Sequence, residues 1–367
     1  MSSRQSGANR APRLRTGVVE ANGIPAARIL ATLAGEAAAR RLGTPVAIDE
    51  AAGSLPEVTW RVADPSTPAV LEALHGLDVL VWVALQTDLE AALAQRPQER
   101  RERLVRTAQT LVTAAAAAGV PRLVVVTSAK VYGARPDNPV PLPEDAPLAA
   151  PRDSGMVGDL LAVEDVLAGA RRAHPGLSVT VVRPAAVVGP GIDTVVTRHF
   201  EAPRLLTVKG AVPAWQFCHV EDLAQAVRVL VELDLGPVVT VGSAGALTQE
   251  QVERLSGMRR VQLSESTALG TAQRLHRFGV LPAPASELAL ALYPWVVDSA
   301  RLRAAGWAAA YDNETCLGVL LDSIKGRRAV AGRRVERKDA ALGAASAAVA
   351  LVGTAAVLRR ARRGGTR

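Results

Sequence analysis

Residues 123–133 read Leu123-Val124-Val125-Val126-Thr127-Ser128-Ala129-Lys130-Val131-Tyr132-Gly133. A loop with Pro136, Pro139, Pro141 and Pro143 follows, and then a helical stretch, Met156–Leu167. An apolar run ending in small polar residues predicts a strand buried on both sides. Strands of the same kind lie outward from it: Val18–Val19, Pro45–Ile48 ending at Asp49, Val58–Ala63 ending at Asp64, Asp78–Ala84, and Ser178–Val182. Helix-period segments separate them, at Ala26–Ala39, Pro68–Leu74, Gln98–Ala118 and Met156–Ala173. Strand and helix in alternation predict an α/β chain with a doubly wound, Rossmann-type parallel sheet. Past residue 190 the elements shorten, as in a smaller C-terminal lobe.

At 367 residues and 49% hydrophobic, the chain can bury one large core or two unequal ones. Its two cysteines, Cys218 and Cys316, make no disulfide framework and no zinc spacing, and no metal site is expected. A reducing, cytoplasmic setting is expected, since the N-terminus has no apolar segment of the secretory kind. The net charge of +8 is unevenly placed. From Lys325 onward twelve Lys/Arg face two acids, and residues 1–15 carry four arginines, so residues 16–324 are net −6. An acidic body with basic ends argues against a nucleic-acid groove.

Residues 1–15 read as a disordered basic lead and 326–339 as a basic linker. Residues 340–358 are nineteen without a charge, nine of them alanine, and 359–367 are a basic tail. Nineteen residues are just long enough to span a bilayer, and flanking arginines favour anionic lipid. An Ala-rich C-terminal helix is expected there, either anchoring the protein to a membrane or packed on its body.

The order of motifs resembles the extended short-chain dehydrogenase/reductase (SDR) family, the NAD-dependent nucleotide-sugar epimerases and dehydratases. The likeness runs over 16–325, with the NAD-binding core at about 16–180 and a substrate lobe built mainly from 181–325. Val182-Arg183-Pro184-Ala185-Ala186-Val187-Val188-Gly189-Pro190-Gly191 resembles the family's RPANVYGPG, and Phe217-Cys218-His219-Val220-Glu221-Asp222 its FVHVDD. Asp298-Ser299-Ala300 through Gly306-Trp307 resembles its closing D-S-x-x-A…L-G-W signature.

The resemblance implies cofactor contacts at Gly23, Ala26, Asp49, Asp64 and Ala84. Gly23 and Ala26 belong to the phosphate turn. Asp49 would take the adenosine ribose, Asp64 the adenine side, and Ala84 the backbone position after the fourth strand. It also implies a catalytic Ser at Ser128, with Tyr and Lys four residues apart on the next helix.

The departures fall on the working positions. The turn wants GxxGxxG, and its first Gly is Glu20, a carboxylate where a pyrophosphate would dock. Counting back from Glu164, which matches a family Glu, the Tyr and Lys positions hold Met156 and Leu160. None of the three tyrosines, Tyr132, Tyr293 and Tyr311, has a lysine four residues on. Ala186 replaces the Asn that meets a nucleotide-sugar, and Trp215 stands where many epimerases have a phosphate-binding Arg.

Two outcomes are open. One is a pseudoenzyme, with NAD binding weak or lost, that acts as a nucleotide-binding or interaction protein. The other is an active epimerase, dehydratase or reductase using Ser128, Lys130, Asp153 or Asp159. Lys130 reads as a solvated loop residue, and His219 and Asp222 as structural. A nucleotide or nucleotide-sugar is the expected ligand. Homodimerisation through the two long helices is what the resemblance implies.

Overall fold

The computed structural model describes residues 13–38, 42–278, 284–325, 329–330 and 333–334. The basic lead up to residue 12, the Ala-rich stretch 340–358 and the tail 359–367 lie outside the described residues. Among the described residues no helix is long and apolar enough to cross a membrane.

The chain opens with β1 (Thr16–Val19), α1 (Ile24–Ala38), β2 (Val46–Asp49), β3 (Thr59–Val62) and the short α2 (Val70–Leu74). Then come β4 (Val79–Val83), α3 (Leu89–Ala94), α4 (Pro97–Ala117) and β5 (Arg122–Val126). A 3-10 turn at Ala129–Tyr132 leads through the proline-rich loop to α5 (Met156–Ala173) and β6 (Ser178–Pro184). The remainder supplies β7 (Ala186–Val188), α6 (Val195–Glu201), β8 (Leu205–Val208), β9 (Ala214–Trp215), β10 (Phe217–His219) and α7 (Val220–Glu232). After these come β11 (Val238–Val241), β12 (Leu247–Thr248), α8 (Gln249–Ser256), β13 (Arg260–Leu263) and α9 (Glu265–Arg277). Three short helices follow, α10 (Ala285–Leu288), α11 (Ala300–Ala304) and α12 (Asn313–Ser323), and then the antiparallel pair β14 (Ala329–Val330) and β15 (Arg333–Arg334).

Seven strands form one parallel sheet in the order β11-β6-β5-β4-β1-β2-β3. Residues of β1, β4 and β6 are buried almost throughout, because helices cover the sheet: α1 packs beside α7, and α4 beside α2 and α5. The expected doubly wound sheet is present, and its last strand comes from residues 238–241, beyond the substrate motif. The order reverses between β1 and β4, which opens a crevice at their carboxyl ends where such sheets hold ligands.

The motifs at 182–191 and 217–222 form their own parallel ladder, β7 with β10. Small pairs β8–β13 and β9–β12 complete that region. Gly191, at φ +78°, lies so close to Ile24 that a Cβ there would meet the Ile24 side chain at 2.7 Å. The loop after β7 is thereby pressed against the start of α1, and the crevice is bounded from both sides.

Candidate functional site

Glu20 follows β1 with φ 53°, a left-handed conformation that glycine adopts freely and other residues at a cost of about 1 kcal/mol or more. The strain is held by its side chain. Oε2 accepts from Trp82 Nε1 at 2.9 Å, and Oε1 pairs with Arg103 Nη2 at 2.9 Å. Gly23 N donates to Glu20 O at 3.0 Å, closing the turn, and a Cβ on Gly23 would lie 3.3 Å from that oxygen. Ala26 is buried where the helix crosses the strands.

Asp49 is half-buried at the end of β2; Asn22 N donates to its Oδ2 at 2.9 Å and Glu50 N to its Oδ1 at 2.8 Å. Ala84 is buried past β4, its N–H bonded to Val126 O. Asp64, past β3, accepts from Ser66 N and Oγ at 2.8 and 2.7 Å, a local turn. Gly23, Ala26, Asp49 and Ala84 thus lie at neighbouring strand ends, with Asp64 one strand further out. For a dinucleotide the fit is divided. Asp49 and the Gly23 turn suit a ribose and a close backbone approach, whereas the Glu20 carboxylate opposes a diphosphate.

The second part of the site lies past β5. Ser128 is buried, and its Oγ caps the 3-10 turn by accepting from Lys130 N at 3.3 Å. That turn directs Lys130 inward, to 9% exposure, which corrects the reading of a solvated loop lysine. A small cavity is lined by Lys130, Glu287, Met156, Leu160, Leu85 and Leu104, among others. Met156 and Leu160 therefore face the space that the counting from Glu164 assigned to the Tyr and Lys.

Glu287, on α10, is 5% exposed. Its Oε1 accepts from Met156 N at 2.6 Å, capping α5, while its Oε2 is buried with no hydrogen-bond partner among the described residues. Burial lowers the pKa of the Lys130 amine against the pull of Glu287, and burial raises that of Glu287 against the pull of Lys130.

The other candidate acids are engaged elsewhere. Asp159 is buried and takes Arg100 Nε at 2.6 Å and Arg101 Nε at 2.9 Å. Asp153 accepts from Gly155 N and from Ser286 Oγ, and its carbonyl from Arg101. Tyr132 is buried; its hydroxyl donates to Glu144 O at 2.6 Å and accepts from Arg183 Nη1 at 2.9 Å. Arg183 makes a two-point pair with Glu164 at 3.1 and 2.5 Å, and Thr127 Oγ1 adds a bond to Glu164 at 2.8 Å. This cluster ties β5, α5 and β6 together.

Ala186 is buried in β7. Trp215 bonds Gln249 at 2.9 Å and stacks on His199. His219 caps α7 by accepting from Glu221 N at 3.2 Å, and Asp222 receives the N–H groups of Ala310 and Tyr311, both structural duties as expected. Among the described residues no group of three or more His, Cys, Asp or Glu could hold a metal ion.

Sequence reading passed over Glu287, Trp82 and Arg103. Glu287 stands 131 residues from Met156 with no motif around it, so nothing along the chain could have paired them.

Residues 37–242 match the model of the NAD dependent epimerase/dehydratase family, a stretch that begins after the Glu20 turn. An uncharacterized protein of Mycobacterium tuberculosis is 28% identical over 189 residues, 51% of this chain and 50% of that protein. The same figures hold for its Mycobacterium bovis counterpart, so the chain spans about half the length of the curated relatives it matches. Among solved structures, dTDP-glucose 4,6-dehydratase from Streptomyces venezuelae superposes with a TM-score of 0.63 at 17% identity, covering 85% of this chain and 97% of that one. UDP-N-acetylglucosamine 4-epimerase from Bacillus cereus gives 0.58 at 16%, covering 85% and 100%. At these identities the likeness is one of fold. Matched over more than half its length, and built on the same doubly wound sheet, the chain belongs to the NAD dependent epimerase/dehydratase family.

Proposed function

We propose that this chain binds a nucleotide or nucleotide-sugar in the crevice between β1 and β4, and that the proton relay of its family is lost. Residues 16–180 serve in this reading as the nucleotide half and 181–325 as the substrate lobe. One observation carries it. Met156 and Leu160, on the cavity that Lys130 and Glu287 also line, are side chains with no proton to exchange. Loss of general acid–base catalysis slows such chemistry by about 10²–10⁴-fold. The Glu20 carboxylate adds a second effect. Repulsion of a diphosphate, partly offset by the Arg103 guanidinium that pairs with Glu20, costs about 1 kcal/mol or more, roughly a decade of affinity. NAD is therefore held weakly.

The test is calorimetric titration of the full-length protein with NAD, beside Glu20→Gly, with chromatography for turnover of UDP- and dTDP-sugars. Weak binding by the wild type, tightened about tenfold or more by the glycine, is the expected result. Tight binding together with turnover would overturn the reading. A second reading, an active enzyme using other groups, is favoured by the burial of Lys130 beside Glu287 in the same cavity.

A further inference from the structure

The cavity that lost its Tyr and Lys positions has acquired another pair of ionisable groups from elsewhere in the chain. Lys130 comes from the turn after β5 and Glu287 from α10. They form no ion pair with each other, and one Glu287 oxygen stays buried without a partner. A structural ion pair would close that distance and saturate both oxygens, as Arg183 and Glu164 do nearby. The remaining walls are mostly apolar, among them Leu85, Leu104, Met156 and Leu160, with Gln86 and Thr194 the other polar residues. A small unhydrated electrophile would sit there against an amine on one side and a carboxyl on the other.

We propose that this cavity is a carbonyl site, in which the Lys130 amine captures a small aldehyde or ketone as an imine and Glu287 moves the protons. The reading goes beyond the proposed function, since no step uses a dinucleotide. The amine lone pair forms the C–N bond, and the C=O π pair moves to oxygen, which takes a proton from the Glu287 acid. The nitrogen returns a proton to that carboxylate. Glu287 then protonates the carbinolamine hydroxyl, the C–O bond breaks with loss of one water, and the nitrogen pair closes C=N. The products are a protonated imine, a carboxylate and water. Burial supports this chemistry, for it drives both groups toward the neutral amine and neutral acid that the first step needs. The other charge acting on Glu287 is Asp153.

The chain has four lysines, which makes the test direct. Full-length protein is treated at pH 7 with acetaldehyde and cyanoborohydride, and ethylation is mapped by peptide mass. Lys130 is expected to label at least about tenfold faster than the exposed Lys209 and Lys325. Glu287→Gln keeps an oxygen to cap α5 and should slow labelling of Lys130 by about tenfold or more. Met156→Phe, which narrows the cavity, should slow it while leaving Lys209 unchanged. Labelling of Lys130 no faster than of the two exposed lysines overturns the proposal, as does an unchanged rate in Glu287→Gln. Neither result bears on NAD binding, so this inference and the proposed function fail separately.

Discussion

Arg183 and Glu164 meet through two nitrogens and two oxygens, with Thr127 and Tyr132 using the remaining capacity. Lys130 and Glu287, also buried just past β5, share a cavity but no hydrogen bond, and Glu287 Oε2 has no partner among the described residues. The two pairs have the same formal charges and similar burial. One closes its own electrostatics and sews strands to a helix. The other leaves capacity open, and unspent capacity of this kind is found at ligand and catalytic sites.

The sharpest way to break that contrast is Arg183→Met. It strands Glu164 in the core and should cost about 3–5 kcal/mol in urea unfolding. A loss under about 1 kcal/mol would mean the saturated pair is dispensable.

His199 extends the contrast to a third group. Its Nε2 is buried without a partner among the described residues, and burial lowers its pKa from 6.5 to about 4. The unfolded chain therefore takes up the proton first as pH falls. The stability from neutral His199 is fully present above pH 6.5 and is lost as pH falls toward 4. The loss is up to about 3 kcal/mol. Unfolding at pH 7 and pH 4.5 checks it, and His199→Phe should lose measurably less than the wild type.

Tyr132→Phe removes one hydroxyl from the saturated cluster and should cost about 1–2 kcal/mol, read from the urea midpoint. The smallest effect, and the one of opposite sign, belongs to the open pair. Glu287 with its raised pKa contributes stability below the ordinary carboxylate range that is lost as pH rises. Lys130 with its lowered pKa contributes stability above the ordinary ammonium range that is lost as pH falls. Between those ranges both carry a penalty. Lys130→Met with Glu287→Gln should be neutral or stabilising by about 1 kcal/mol at pH 7, and less favourable relative to wild type at pH 4.

Much of this was legible along the chain because it depends on near neighbours. Val124–Val126 and Val79–Val83 are runs that only a sheet covered on both faces can bury, so sheet class followed from them. Glu20, Met156 and Leu160 were singled out by spacing from Gly23 and Glu164; Glu20 lies in the turn after β1, and Met156 and Leu160 line the cavity. Lys130 was misread because its direction depends on the 3-10 turn that Ser128 caps, and a run of amino acids after a strand does not disclose that turn. Trp82 and Arg103 could not be linked to Glu20, since they lie 62 and 83 residues away on other elements.

The amino-acid order alone determined that no tyrosine has a lysine four residues on, and that a carboxylate stands three residues before Gly23. Both are matters of adjacency, and folding cannot alter them. Folding decided what that carboxylate and Lys130 do. Whether a charged group is saturated or left open depends on which distant segments crowd it, and on the water they exclude. For Glu20 those segments bring Arg103 and Trp82. For Lys130 they bring Glu287 and an apolar wall.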